Sequence, residues 1–261
     1  MELPAETWYA AIFKRRSRRT YSSQRIESEK LERLRAVCRD FRPFPGARAE
    51  FIHNSPERVF RGLVGRYGRV NGAPHYVAFI GDMSAPYVQE ATGFMGEGIV
   101  LEATALGLGT CWVGGFFRPE AVKRDLHLSE NERVLSITPV GYAVPTEDFS
   151  ERLLEGLAGS RRRKALAVLV QPEVPSGWAL RALKAAQLAP SARNRQPWRF
   201  RLQDKSIIVS EDGKPSLSSI SKRLDCGIAM LHLELGARAA GVSGRWEFVD
   251  PSQVARFIPD L

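Results

Sequence analysis

The second half of this chain echoes the first, and that echo constrains the fold more than any other feature. Arg15-Arg16-Ser17-Arg18 and Arg161-Arg162-Arg163-Lys164 are offset by the same distance as Leu34-Arg35-Ala36-Val37 and Leu180-Arg181-Ala182-Leu183. Farther along, Gly107 to Trp112 has the same spacing as Gly241 to Trp246, each closing an apolar helix ahead of a predicted strand. Between those anchors the second copy is shorter. Spaced self-similarity of this kind marks duplicated units that bury their apolar faces against each other. A duplication and fusion is therefore expected, with one lobe over 1–158 and a second over 159–261, interlocked as one functional unit.

Within each copy, hydrophobic spacing names the elements. Trp8, Ala11 and Ile12 form an i, i+3, i+4 stripe on a first helix. Ser28 reads as the N-cap of a helix carrying Leu31, Leu34, Val37, Cys38 and Phe41, which ends before Pro43 and Pro45. Strands are predicted over 49–53, 76–81 and 133–142, and in the second copy over Trp198–Gln203 and Ser206–Glu211. A short amphipathic segment is expected over 56–64, and Pro119 opens a short helix to 126. The longest helix, 86–106, is apolar nearly all round and so belongs at the centre. Gly93, Gly96 and Gly98 within it would let a neighbouring helix approach closely, at roughly 1 kcal/mol of helix propensity each. Its counterpart in the second copy runs over 224–240.

Composition closes off several classes of function. A hydrophobic content of 44% and a charged content of 26% are those of a soluble globular protein, with no run long enough to span a membrane. Met1 to Ala10 holds acids and no apolar signal core, so a cytoplasmic setting is expected. Cys38, Cys111 and Cys226 are far apart, and neither they nor the four histidines have ligand spacing, so no metal is expected. A net charge of +9 invites a nucleic-acid reading, but the arginines are mostly dispersed among acids and no nucleic-acid-binding motif accompanies them.

Three motifs carry chemistry. In Lys14-Arg15-Arg16-Ser17-Arg18-Arg19, arginine forks and a hydroxyl suit the oxygens of a phosphate, although a solvated charge run would look the same. Gly107-Leu108-Gly109-Thr110-Cys111-Trp112-Val113-Gly114-Gly115-Phe116 stops the long helix and can bring bare backbone to a flat ligand. Cys111 has no base beside it in sequence and reads as a small buried residue rather than a nucleophile. In Ala189-Pro190-Ser191-Ala192-Arg193-Asn194-Arg195-Gln196-Pro197-Trp198, Pro190 ends the helix over 178–188 and leaves a polar corner whose alcohol and carboxamides can read a ring bearing donors and acceptors.

Taken together, these strings resemble the motifs of the nitroreductase family. The resemblance implies an α+β, nitroreductase-like fold with mainly antiparallel sheets and long central helices. It implies FMN as cofactor, gripped by Arg15, Arg16, Ser17 and Arg19, faced at N5 and O4 by the backbone of Gly114 and Gly115, and contacted by Pro190, Ser191 and Asn194. In ordinary members a basic residue near the chain end meets the phosphate, and Arg161 is the candidate here. Ordinary members are homodimers with the flavin between subunits. This chain resembles a divergent branch in which both subunits are fused, and so a monomeric pseudo-dimer. The 42–47 segment departs from the pattern by lacking the Ser/Asn corner, Arg163 stands where Ser17 should repeat, and Glu247-Phe248 replaces the Gly114-Gly115 region. One competent site and one dead reciprocal site are expected. The implied activity is passage of hydride from NAD(P)H through FMN to a small electron-poor acceptor, a nitroaromatic or quinone, in alternating half-reactions, with no side-chain acid or base. A non-catalytic flavin-binding protein is the alternative, and a basic nucleic-acid binder a third.

Overall fold

The computed structural model describes residues 1–53, 59–60, 70–144, 162–170, 175–214, 220–249 and 253–261. The segment expected over 56–64 falls mostly outside them. The first lobe contributes α1 (Ala5–Lys14), α2 (Ser28–Asp40), β1 (Ala47–Ile52), β2 (His75–Asp82), α3 (Val88–Ala105), β3 (Gly109–Thr110), α4 (Pro119–Lys123) and β4 (Glu132–Gly141). The second contributes α5 (Leu166–Leu169), α6 (Gly177–Gln187), a single 3-10 turn (Ala192–Asn194), β5 (Trp198–Gln203), β6 (Ser206–Glu211), α7 (Lys222–Arg238), β7 (Gly244–Phe248) and β8 (Ala255–Pro259).

The repeat is visible in the topology. Among the described residues there are two four-stranded sheets, ordered β1-β2-β4-β3 and β5-β6-β8-β7, and every strand pair in them is antiparallel. The corresponding glycines end the corresponding helices in the same way. Gly107 (φ +79) follows α3 and Gly241 (φ +78) follows α7. The next N–H donates back to a carbonyl five residues earlier in both cases, Leu108 to Ala103 at 2.8 Å and Val242 to Ala237 at 3.0 Å. This is the left-handed helix terminus that glycine adopts at least cost.

The two long helices cross in the middle of one core that runs from Trp8 in the first lobe to Phe257 in the second. At the crossing, glycine meets backbone in both directions. A Cβ on Gly93 would lie 2.0 Å from the Leu224 carbonyl oxygen, and one on Gly227 would lie 2.1 Å from that of Glu90. Arg223 donates to buried Glu90 beside this contact. The expectation that glycines admit a neighbouring helix holds for Gly93. Gly96 and Gly98 serve aromatic rings instead: a Cβ at Gly96 would strike Trp112, and one at Gly98 would strike Phe41 and Trp8.

Local corrections are small. Ser28 is the first residue of α2 rather than its cap, which falls on Glu27 with no side-chain hydrogen bond. Ser221 is a true cap, its hydroxyl accepting from the Arg223 N–H at 3.1 Å at the head of α7. The strand β8 carries no alternation strong enough to have been expected from sequence, yet Ala255 and Phe257 are buried against β6 and β7. Phe44, from the segment lacking the Ser/Asn corner, meets Phe248 edge to face at 5.0 Å, and Tyr87 stacks on Phe248 at 4.7 Å.

Candidate active site

The N-terminal motif and the glycine-rich motif meet first. Beyond α1 the chain runs alongside β3: Ser17 bridges Thr110, and the Arg18 N–H donates to the Thr110 carbonyl at 2.7 Å. After Thr110 the chain turns, and Val113 is pinned to β4 by paired bonds with Ile137 of 2.8 and 2.9 Å. The Ser136 hydroxyl adds a bond to the Val113 carbonyl at 3.0 Å. Those anchors leave Gly114 and Gly115 projecting from a fixed strand edge.

The polar corner arrives from the second lobe. Alanine-rich α6 packs against α7 through Ala182, Ala185 and Ala186, all buried, and the chain breaks at Pro190. Arg193, Asn194 and Gln196 then adopt left-handed backbone, with φ of 52°, 54° and 47°. Such conformations cost on the order of 1 kcal/mol or more each away from glycine and persist only where the surroundings fix them. Here they are fixed. The Ser191 hydroxyl accepts from the Gln196 N–H at 2.9 Å, and Asp225 Oδ1 accepts from the Ala192 N–H at 3.0 Å. Arg195 Nε donates to Asp225 Oδ2 at 2.6 Å. Behind the corner, Gln196 Oε1 accepts from the Lys164 N–H at 2.8 Å and Asn194 Nδ2 donates to the Arg162 carbonyl at 2.9 Å.

Between these segments lies a cavity of about 410 Å³. Arg15, Ser17, Arg19, Cys111 and Gly114-Gly115 line it from the first lobe, and Arg163, Pro190, Ser191, Asn194, Asp225 and Ile220 from the second. Residues nearly the whole chain apart thus face one space, of a size ordinary for a small-molecule site. Cys111 is buried there.

The charged groups of the wall are mostly cations, Arg15, Arg19, Arg163 and Arg193 against the single carboxylate of Asp225. Arg15 is buried, and its Nε has no hydrogen-bond partner, the nearest carboxylate being Glu97 at 3.9 Å. Burial pushes the Arg15 guanidinium below its ordinary range, while Glu97 opposes the shift. Arg163 is pushed down to about 10 by burial and by the charges of Arg15 and Arg16, so it too stays protonated at neutral pH. Its Nη1 donates to Asn194 Oδ1 at 3.2 Å and its Nη2 to the Leu188 carbonyl at 3.2 Å. Crowded, partly desolvated cations of this kind favour an anion between them. A mononucleotide phosphate is such an anion, and the residues present fit one.

Several expectations are redrawn by this geometry. Arg16 does not line the cavity. It is exposed and donates to the carbonyls of Phe13 and Arg15 at 3.1 and 2.7 Å, closing the end of α1. Arg161 lies outside the described residues. Arg163, expected to mark a dead reciprocal site, lines the same cavity as Ser17, because the strand-like run from Arg162 to Lys164 zips onto the polar corner. The hydroxyl of Ser191 and the carboxamide of Asn194 are both engaged within the corner. Asp225 and Ile220 were not foreseen. Asp225 follows the capping Ser221 by one helical turn on α7, and that spacing was the signal available for it.

A family model described as "Putative TM nitroreductase" matches residues 7–237. The chain belongs to this nitroreductase family. Among solved structures, the "putative nitroreductase" of Thermotoga maritima superimposes with a TM-score of 0.64 at 20% identity, covering 97% of this chain and 94% of that one. This match shows the fold. A nitroreductase family protein from Clostridium difficile gives a TM-score of 0.46 at 22% identity, covering 64% of this chain and 98% of that one. A nitroreductase with bound FMN from Bacteroides fragilis gives 0.42 at 18%, covering 54% and 91%. No curated protein sequence matches the chain. Among the described residues no helix is long and apolar enough to cross a membrane, and no group of three or more His, Cys, Asp or Glu could hold a metal.

Proposed function

We propose that the chain is an FMN-dependent oxidoreductase that passes hydride from NAD(P)H to a small electron-poor acceptor, working as a monomer in which two fused lobes share one flavin site. Family membership supports an oxidoreductase. The observation that carries the finer reading is the cavity itself, where a buried arginine with an unmade hydrogen bond, a second arginine and a glycine pair converge from both lobes.

Each group has a role that its position permits. Arg15, Arg19 and Arg163 hold an anionic end of the ligand, with Ser17 beside them. Gly114 and Gly115 present bare backbone to a flat ring at the cavity wall, and the space that a Gly114 Cβ would fill is taken by Ile220, 2.8 Å away. Pro190, Ser191 and Asn194 form the opposite wall, Ser191 and Asn194 giving it rigidity through bonds within the corner. Bound FMN would supply the two-electron chemistry, and this chain's residues would bind it, orient it and keep water from one face.

The test is direct. Purified protein titrated with FMN should develop the absorption of bound flavin, and excess NADH or NADPH should bleach it in a stopped-flow trace. Arg15→Ala should weaken FMN binding by about tenfold or more, the loss of roughly one charge-assisted hydrogen bond. Unchanged affinity in that variant would remove Arg15 from the site. A flavin that binds but stays oxidised under both dinucleotides would mark a binding protein without turnover.

A further inference from the structure

Behind the cavity, where α3 and α7 cross, a buried polar cluster joins the two lobes. Glu97 of α3 and His232 of α7 are both fully buried. Glu97 Oε1 lies 2.9 Å from His232 Nε2, and Glu97 Oε2 accepts from the Trp112 indole N–H at 2.7 Å. The same Oε1 lies 3.9 Å from Arg15 Nε, and His232 Nδ1 lies 3.1 Å from the Ala185 carbonyl of α6. Trp112 and Arg15 both line the cavity, whereas Glu97 and His232 stand behind them.

The hydrogen-bond chemistry fixes the proton count. A carbonyl oxygen can only accept, so the ring must carry its hydrogen on Nδ1. The contact between Nε2 and Glu97 then needs one more proton, because without it two lone pairs would face each other at 2.9 Å in a buried site. That proton resides on the ring or on the carboxyl, and either placement leaves one net positive charge over Arg15, Glu97 and His232. A half-satisfied network buried this deeply would cost more than an apolar core.

We propose, on the reading of the cavity as a flavin site, that Glu97 and His232 are positioning residues. They form a one-proton pair, one member from each lobe, that holds the Trp112 indole, faces the Arg15 guanidinium as its ion-pair partner and, together with Arg15, maintains a single positive charge at the cavity wall. A positive charge there stabilises a ligand that gains negative charge on reduction. The second lobe thereby sets the geometry and the electrostatics of two first-lobe motifs.

Three variants separate this from a merely structural role. His232→Gln keeps a donor for Glu97 but removes the extra proton, so the midpoint potential of bound FMN should shift to a more negative value and FMN affinity should fall severalfold. Glu97→Gln keeps an acceptor for Trp112 and leaves the charge total unchanged, so affinity should fall while the potential stays near that of the wild type. Glu234→Gln is the control, since Glu234 pairs with Trp246 at 3.0 Å away from the cavity. It should move neither. A potential unmoved in His232→Gln, or moved equally in Glu97→Gln, overturns the charge account.

If His232→Gln fails to fold, nitrogen NMR of the wild-type His232 ring decides, with or without flavin. A protonated Nδ1 and a hydrogen-bonded Nε2 are expected, and a lone pair on Nδ1 overturns the proposal. Absence of flavin binding in the wild type would instead overturn the reading of the cavity while leaving the ring measurement standing.

Discussion

Asp225 shows how one side chain can tie a local motif to its environment. Its carboxylate receives the Ala192 N–H and the Arg195 guanidinium, and Arg195 in turn donates to the Ile220 carbonyl at 2.9 Å. Burial nevertheless dominates and raises the Asp225 carboxyl from 3.8 to about 6, with Arg195 and the backbone bond opposing. Between those two values the native state holds more protons than the unfolded chain. Asp225 therefore favours the native state below about pH 4 and withdraws that contribution as pH rises to about 6. Asp225→Asn removes the titration. Across that window the variant should gain on the wild type by on the order of 3 kcal/mol, read as the difference between two denaturant-melting series. A constant difference would show that Asp225 titrates normally.

His75 behaves in the opposite sense. Burial, with help from the nearby charges of His53 and Arg35, lowers it from 6.5 to about 4. Its neutral ring stands 3.2 Å from that of His53 at the start of β2. Here the unfolded chain binds the proton more readily, so the contribution is present above about pH 6.5 and is lost as pH falls toward 4. His75→Gln should flatten the acid limb of the stability profile, as measured by melting temperature between pH 4 and 7.

At the scale of the element, the glycines do different work, and sequence does not tell Gly93, which meets a helix backbone, from Gly96 and Gly98, which meet rings. Gly93 and Gly227 sit where each long helix touches the other's backbone, and Gly107 sits at a left-handed helix terminus with nothing within 4 Å of its missing Cβ. Gly93→Ala must force the helices apart, because carbonyl oxygen rather than a flexible side chain stands in the way. We expect a loss above the roughly 1–3 kcal/mol usual for overpacking, measured by urea midpoint. Gly107→Ala should cost only about 1 kcal/mol, the penalty for placing a Cβ in left-handed backbone. Equal effects would mean that the crossing is looser than its geometry.

For the whole molecule, the shared core decides behaviour. Trp8, Phe94, Met230 and Phe257 belong to one large buried cluster that spans both lobes, beside a smaller one within the first. Thermal unfolding should be a single transition, with tryptophan fluorescence and far-ultraviolet dichroism coinciding, despite the duplicated topology. A fragment of residues 1–158 should fail to fold cooperatively. Bound FMN at a hundred times its dissociation constant should stabilise the entire chain by about 2.7 kcal/mol, not one lobe alone. Two resolved transitions would contradict a common core.

Much of this was legible in the chain. The amphipathic stripe of α1, the all-round apolarity of α3, the helix stop at Pro190 and the paired glycines at 107 and 241 all follow from local rules of spacing and backbone freedom. They are enough to place the long helices centrally and to name the three motifs. What local rules leave open is where a side chain goes after its segment has turned. Ser191 and Asn194 brace left-handed backbone as well as line the cavity, Arg16 closes a helix, and Arg163 crosses from its repeat position to the cavity that Ser17 lines.

The sequence by itself determined the pieces: duplicated helices and strands, and segments chemically suited to an anion and a flat ring. Their spacing is short-range information, written in contacts between residues a few positions apart. Only the tertiary structure decided that the pieces converge. The Glu97–His232 pair, the Gly93–Gly227 crossing and the cavity between Arg15 and Asn194 each depend on long-range contacts across the lobe seam. Those contacts exist because the two long helices, buried on nearly every side, pack against each other.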